Sequence, residues 1–153
     1  MAGCKKKVVC AKTPKAKEVS RREDPNSYLQ THPSWRFSDC DSECWSFDKG
    51  NLSECFWEEI FPFLKNLEKR KWSEVLIDSK KQNHSIDVEE LNPSARKRLE
   101  FRQIEAESII SLRLQGKHRL YGLMFDGVFR ILWFDKYHGD NPDCVCRSKK
   151  RHT

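Results

Sequence analysis

The chain has 153 residues and a formal net charge of +6, and 37% of its residues are hydrophobic, including five Trp and nine Phe. This content is sufficient for one domain with a sizeable core, and it excludes a fully disordered chain. No apolar run approaches the roughly 20 residues that span a bilayer, and the first residues lack the apolar segment of a secretory signal. The sequence therefore predicts a cytoplasmic protein without membrane contact.

The positive charge is concentrated at the two ends of the chain. Residues 1–22 carry a net charge of +7 and residues 147–153 a net charge of +4, which leaves −5 for residues 23–146. We interpret residues 1–33, which have little periodicity, as a basic and largely flexible N-terminal arm. Residues 34–153 are predicted to form a single α+β domain that ends in a basic tail.

Short elements are expected in the first part of this domain. Residues 35–37 alternate apolar and polar side chains as a short strand does. A helix is predicted over 53–70, because apolar side chains recur there at three- and four-residue spacing. Residues 73–78 are expected to form a second helix and residues 93–103 a basic third helix, which begins with a proline. Residues 84–92 are interpreted as a connector.

Residues 108–135 have the pattern of a three-stranded antiparallel meander. The Asp126-Gly127 dipeptide between two β-rich runs indicates a two-residue type I′ turn, which requires positive φ at both positions. In the resulting register Arg119 faces Phe134. The two strands then have one apolar face, which is expected to cover the core, and one mixed face. The apolar face carries Leu120, Gly122, Met124, Phe129, Ile131 and Trp133, and the mixed face carries Arg119, Tyr121, Leu123, Phe125, Val128, Arg130, Leu132 and Phe134.

The turn between the first two strands of the meander determines where Arg113 points. A two-residue loop would set Arg113 against Leu120 on the apolar face. A three-residue loop, with Gly116 in a left-handed conformation, pairs Leu112 with Leu120 and sets Arg113 beside Arg119. Matching of hydrophobic side chains favours the three-residue loop. Two opposed guanidiniums repel each other, so this register predicts a neighbouring carboxylate or a visiting anion such as phosphate.

The seven cysteines are expected to be reduced thiols in an intracellular chain. Zinc binding is an alternative, although the C-x3-C and C-x-C spacings differ from the usual pairs. One ligand set would be Cys40, Cys44, Cys144 and Cys146, and another would use Asp135, His138 and Asp140. A zinc-stabilised interaction domain is therefore a third hypothesis, behind two that use the meander.

The segment LRLQGKHRLYGLMFDGVFRILWF resembles a pattern of the RelE/ParE superfamily of bacterial toxins, in which an Arg, a Gly-containing turn, an Arg, an aromatic residue and an apolar last strand recur. The order of a short strand, helices and a three-stranded meander is also similar to that family. The resemblance implies a small α+β fold that, in the ribonuclease branch, cleaves messenger RNA on the ribosome without a metal or cofactor. It also implies an antitoxin protein as partner. The ending WFDKYHG…KKRHT resembles an uncharacterised bacterial protein family as well, which supplies no chemistry.

The resemblance also implies roles for individual side chains. Cleavage of RNA by its 2′-hydroxyl needs a base, cations beside the scissile phosphate and an acid for the leaving 5′ oxygen. Arg113 and Arg119 match the basic strand positions of the family, and His138 and His152 are the nominees for proton transfer. The residues expected to contact nucleic acid are Tyr121, by stacking on a base, and Arg130, Lys117, Arg147, Lys149 and Lys150.

Two alternatives stay open for the arginines. Arg113 and Arg119 could form ordinary ion pairs with Glu100, Glu105 or Glu107. The mixed face could also belong to a non-enzymatic module that binds nucleic acid or an acidic protein partner, and such a module needs no histidine.

Overall fold

The computed structural model describes residues 26–47, 55–139 and 144–146. The strands in these ranges are β1 (Ser34–Arg36), β2 (His84–Asp87), β3 (Ser108–Arg113), β4 (Arg119–Phe125) and β5 (Val128–Asp135). They form one mixed sheet in the order β1-β5-β4-β3-β2, in which β1 is parallel to β5 and all other neighbours are antiparallel. The predicted α+β class is confirmed, but the sheet has five strands and is not a three-stranded meander, because β1 and β2 extend it at both edges.

The main helical segments lie between β1 and β3. A π-helical segment (Phe56–Ile60) continues directly into α1 (Phe61–Leu67), and a second π-helical segment covers Glu74–Asp78. α2 (Pro93–Phe101) begins with a proline in its first turn, where no backbone donor is needed, and the Asn92 side chain accepts a hydrogen bond of 3.2 Å from the N–H of Ser94. The three predicted helical regions are confirmed, and the first and third end earlier than predicted.

Helices cover both faces of the sheet. On the first face, Ile60 of the π-helical segment and Leu120 of β4 belong to one buried cluster. On the second face, Leu99 of α2 and Tyr121 of β4 belong to another cluster, which also includes a side chain from residues 144–146. The middle of the mixed face of the predicted meander is therefore a second core face, where Tyr121 and Leu132 are buried. Burial of its apolar side chains removes them from water and stabilises the fold.

The turn between β4 and β5 forms as predicted, but the register beyond it shifts. The Asp126-Gly127 dipeptide has φ angles of 49° and 80°. The predicted pairing holds from this turn to Gly122, where a β-bulge places one additional residue in β5. Arg119 therefore faces Asp135 and not Phe134, so the predicted partner of this arginine is wrong.

The bulge also changes which aromatic side chains reach each face. Leu132 and Trp133 both belong to the second-face cluster, whereas Phe134 belongs to the first-face cluster. Trp133 and Phe134 have thus exchanged the faces predicted for them. Strict alternation along β5 fails because the extra residue interrupts the two-residue period.

Strand β2 lies in the segment that was interpreted as a connector. It pairs with β3 in antiparallel fashion, and Ile86 is the one buried residue among its four. One inward apolar side chain gives no readable alternation, so the local sequence does not distinguish this strand from a loop. Its pairing with β3 decides its conformation.

Residues 26–33, which fall in the predicted arm, pack on the domain. Tyr28 lies against the first-face cluster, and the carbonyl of Thr31 accepts a hydrogen bond of 2.9 Å from the backbone N–H of Trp72. The basic segment 1–25 lies outside the described residues.

Candidate functional site

The turn between β3 and β4 sets Arg113 beside Arg119. Gly116 in this turn has a φ of +58°, and the backbone N–H of Leu114 donates a hydrogen bond of 3.0 Å to the carbonyl of His118. Arg113 and Arg119 are direct cross-strand partners. The predicted three-residue loop is therefore confirmed, together with the pairing of the two arginines.

Glu59 holds this turn from the first face of the sheet. Its carboxylate lies 2.7 Å from Nδ1 of His118 and accepts a hydrogen bond of 3.1 Å from the backbone N–H of Gln115. The same turn also holds Arg119, whose Nη1 donates hydrogen bonds of 2.8 and 2.9 Å to the carbonyls of Gly116 and His118. The guanidinium of Arg119 therefore has a fixed position.

Neither arginine forms an ion pair within the described part of the chain. Arg113 is exposed, and Arg119 is half-buried. Burial and the positive charge of Arg113 lower the pKa of Arg119, although an arginine remains charged in proteins. The alternative partners Glu100, Glu105 and Glu107 do not pair with them. Within the described ranges, two guanidiniums without an ion-pair partner therefore lie side by side at this end of the sheet.

Asp135 faces Arg119 across the strands but directs its carboxylate to backbone donors. Oδ1 accepts a hydrogen bond of 2.9 Å from the N–H of Tyr137, and Oδ2 accepts one of 2.9 Å from the N–H of Val145. The residue is only 1% exposed. Asp135 therefore fastens residues 144–146 to the second face of the sheet.

His138 follows β5 and directs one ring nitrogen toward the interior. Its Nδ1 lies 3.1 Å from Oη of Tyr121 and 2.9 Å from Sγ of Cys146. Burial and the positive charge of Arg119 lower the pKa of His138. The imidazole is therefore neutral at neutral pH, which is the form that can accept a proton.

Tyr121 is fully buried in the second-face cluster. The predicted stacking of its ring on a nucleic-acid base does not fit this position, because the ring has no accessible face. Burial raises the pKa of Tyr121 above its usual range, so its hydroxyl remains protonated. Its contribution here is the contact with His138.

Cys144 and Cys146, which the sequence predicts as reduced thiols or, alternatively, as zinc ligands, complete this group of side chains. Their Sγ atoms are 4.0 Å apart, and the thiol of Cys144 donates a hydrogen bond of 2.8 Å to the carbonyl of Cys146. Burial and the neighbouring Cys144 raise the pKa of Cys146 to about 11. The C-x-C spacing was the available signal, because alternate residues of an extended segment point to the same side. We call Arg113, Arg119, Tyr121, His138 and Cys146 the arginine–histidine cluster.

The four-cysteine zinc site is not formed. Cys40 packs against the first-face cluster and Cys146 against the second-face cluster, so the sheet separates them. Among the described residues, no group of three or more His, Cys, Asp or Glu side chains is arranged to hold a metal ion. Asp140, a member of the second predicted ligand set, lies outside these residues.

The other predicted contacts to nucleic acid are not gathered in the cluster. Nε of Arg130 donates a hydrogen bond of 2.7 Å to Oδ2 of Asp39, which compensates its charge. Lys117 is exposed on the turn that joins Arg113 to Arg119. Four predicted residues lie outside the described ranges, namely His152, Arg147, Lys149 and Lys150.

No family model, curated protein or solved structure matches this chain. In the ranges that the structure describes, every helix is too short or too polar to cross a bilayer. The function must therefore be inferred from the chemistry of the arginine–histidine cluster.

Replacement of Arg119 with glutamine is expected to raise the pKa of His138, because it removes a positive charge that disfavours the imidazolium ion. An NMR titration of the His138 ring nitrogens measures the shift. Arg130→Gln is the matched control, since the charge of Arg130 is already compensated by Asp39 and the pKa of His138 should not change. Equal titration curves for the wild type and Arg119→Gln would show that the two side chains are not electrostatically coupled.

Proposed function

We propose that this protein is a RelE-like endoribonuclease of the toxin type, which cleaves messenger RNA by attack of a 2′-hydroxyl on the adjacent phosphate. The observation that supports this best is the proximity of the paired Arg113 and Arg119 to a neutral His138. Two adjacent cations suit a phosphodiester, and a neutral imidazole suits the proton of a 2′-hydroxyl. The resemblance of the meander to RelE/ParE toxins supports the same chemistry.

The two arginines would bind the scissile phosphate. Cβ atoms of direct cross-strand partners lie about 5 Å apart, which allows two guanidiniums to contact different oxygens of one phosphate. Arg119 is held by the turn carbonyls, whereas Arg113 is exposed. Arg119 would therefore position the phosphate, and Arg113 would close on it and stabilise the negative charge that grows in the transition state.

His138 would accept the proton of the 2′-hydroxyl through Nε2, since Nδ1 faces Tyr121 and Cys146. This requires the tautomer with its proton on Nδ1, which the phenol oxygen or the sulfur can accept. The 2′ oxygen then bonds to phosphorus, the bond from phosphorus to the 5′ oxygen breaks, and a 2′,3′-cyclic phosphate remains. The leaving 5′ oxygen needs a proton donor, and His152 is the other histidine nominated for proton transfer.

Expression of the wild type in bacteria is expected to arrest growth, whereas Arg113→Ala/Arg119→Ala and His138→Gln should permit it. Purified wild type should cleave messenger RNA, free or on ribosomes, to fragments that end in a 2′,3′-cyclic phosphate. Each variant should be slower by about 100-fold or more, because it lacks the phosphate ligands or the base. If growth is arrested, a neutralising antitoxin is the expected protein partner.

Lys80→Ala/Lys81→Ala is the matched control, since it also removes two positive charges, but from exposed positions outside the arginine–histidine cluster. It should retain cleavage and growth arrest. An equal loss in this control would assign the effect to net charge and not to the arginine–histidine cluster. A folded wild type that neither slows growth nor cleaves RNA would contradict the proposal.

A second candidate is a non-enzymatic module that binds RNA through the same arginines. It is favoured by the internal contacts of His138, whose Nδ1 lies near both Tyr121 and Cys146, so that its role can be structural. Such a module would lose RNA affinity in Arg113→Ala/Arg119→Ala, but the wild type would yield no cyclic phosphate. Its affinity would also fall with salt, by a log–log slope of about 0.7 for each phosphate contacted on a single strand.

A further inference from the structure

The arginine–histidine cluster borders a pair of thiols. Cys144 and Cys146 are both free, and their Sγ atoms are 4.0 Å apart. Cys146 is partly exposed, whereas Cys144 is buried. A small oxidant can therefore reach Cys146 first, and Cys144 is positioned to react with the product.

The backbone between the two thiols is held on both sides. The N–H of Val145 donates a hydrogen bond of 2.9 Å to Asp135, and its carbonyl accepts one of 2.9 Å from the N–H of Asn92. The approach of the two sulfurs therefore has to come from rotation of their side chains. A disulfide has an S–S length of about 2.05 Å, so this rotation has to bring them about 2 Å closer.

We propose that Cys144 and Cys146 form a redox modification site for a hydroperoxide, whose product is an intramolecular disulfide. In the tautomer of His138 that carries its proton on Nε2, the thiol of Cys146 gives its proton to Nδ1, and the sulfur attacks the O–O bond. A sulfenic acid forms on Cys146, and the leaving hydroxide takes the proton from His138 to become one water. The sulfur of Cys144 then attacks the sulfenic sulfur, so that the S–S bond forms and the second water leaves. Two thiols lose two electrons, and one peroxide is reduced to two waters.

Formation of the disulfide would change the surroundings of His138. In the reduced protein Sγ of Cys146 lies 2.9 Å from Nδ1 of His138, and rotation toward Cys144 removes this contact while the contact with Tyr121 remains. Oxidation should therefore slow RNA cleavage, because the imidazole loses one of the groups that orient it. That consequence rests on the proposed function, whereas the disulfide chemistry does not.

The reaction is expected to need excess peroxide at neutral pH. The thiolate is the reactive form, and the raised pKa of Cys146 keeps its thiol protonated. The neighbouring imidazole of His138 supplies the base that the attack requires.

Peptide mass analysis of the full-length protein tests the site. After treatment with hydrogen peroxide, alkylation and trypsin, the peptide Tyr137–Arg147 contains both cysteines and no other. Its mass should be about 2 Da lower than that of the reduced peptide without alkylation. Neither cysteine should be alkylated, and both should become open to alkylation after reduction. Cys55 is alone in the peptide Gly50–Lys65 and reports general oxidation in the same digest.

The proposal fails if Cys144 and Cys146 both remain open to alkylation after Cys55 has been oxidised, or if either is found linked to another cysteine. In Cys144→Ser, the loss of 2 Da should disappear, and a sulfenic acid on Cys146 should be trapped by dimedone. In the wild type, the NMR signal of Nδ1 of His138 should shift on oxidation. A disulfide in a protein that never cleaves RNA would contradict the proposed function and leave this redox site intact.

Discussion

Asp41→Ala is expected to lower the free energy of unfolding by about 3–5 kcal/mol, because it removes one partner of a buried ion pair. Asp41 is 1% exposed, and its carboxylate accepts hydrogen bonds of 2.7 and 2.8 Å from Arg98 of α2 and one of 3.1 Å from Nε1 of Trp133. It also accepts hydrogen bonds from the backbone N–H groups of Glu43 and Cys44. Without it, the largely buried Arg98 keeps a longer contact of 3.4 Å with the exposed Glu43 but loses its buried counter-charge. Urea unfolding followed by tryptophan fluorescence measures the loss.

Asp39→Ala is the matched control two positions away. Asp39 pairs with Arg130 at 2.7 Å, but the two side chains are 24% and 33% exposed. Water therefore solvates both charges when the pair is broken, and the expected loss is about 1 kcal/mol or less. Equal losses of unfolding free energy for the two variants would contradict the larger effect expected for the buried Asp41.

The effect of Asp41 also depends on pH. Burial alone would raise the pKa of Asp41, but the hydrogen bonds from Arg98 and from backbone N–H groups outweigh burial and hold the pKa well below its usual range. The ionised carboxylate therefore favours the folded state. Its contribution is fully present above the ordinary aspartate pKa of about 3.9 and is lost as the pH falls through the lowered value. The stability difference between the wild type and Asp41→Ala should narrow only in strongly acidic solution.

Gly122→Ala is expected to destabilise the protein by about 3 kcal/mol, the upper end of the usual range for overpacking. A Cβ at this position would lie 2.3 Å from the carbonyl oxygen of Arg130 and 2.8 Å from Cζ of Phe129. The first of these atoms belongs to the backbone of the paired strand, so the alanine can be accommodated only if β4 and β5 separate. Thermal and urea unfolding measure the loss of stability.

Gly116→Ala provides the comparison. Gly116 has a φ of +58°, but a Cβ there would meet nothing within 4 Å. The cost is therefore limited to about 1 kcal/mol of backbone strain. Gly122 adjoins the bulge that sets Arg119 opposite Asp135, so Gly122→Ala should also shift the NMR signals of His138. Unchanged His138 signals in a destabilised variant would show that the bulge does not position the arginine–histidine cluster.

The sequence predicted the pairing of Arg113 with Arg119 because that pairing depends on a local turn. A three-residue loop and the matching of Leu112 with Leu120 are sufficient to define it. The position of Asp135 opposite Arg119 was not predictable in the same way. It depends on a bulge next to Gly122, and a bulge leaves no pattern where the strand is a continuous apolar run, as β5 is over residues 131–134.

The rest of the candidate site depends on contacts between distant segments. Cys146 reaches His138 because Asp135 holds the N–H of Val145, a contact between a strand end and a later loop. Tyr121 is buried because α2 covers the second face, although a strand with mixed side chains would ordinarily expose it. Neither contact is encoded in the spacing of residues along one element.

The parallel pairing of β1 with β5 affects the order in which the chain can fold. Ser34 lies opposite Val128, which follows 94 residues later in the chain. At the usual rate of about 5–20 residues per second, several seconds of synthesis separate the two strands. β1 therefore has no strand to pair with until β5 has been synthesised. Its pairing joins residues far apart in the sequence, so we expect it to form late in folding. The N-terminal strand β1 therefore adds to the sheet only after the meander that carries the arginines has formed.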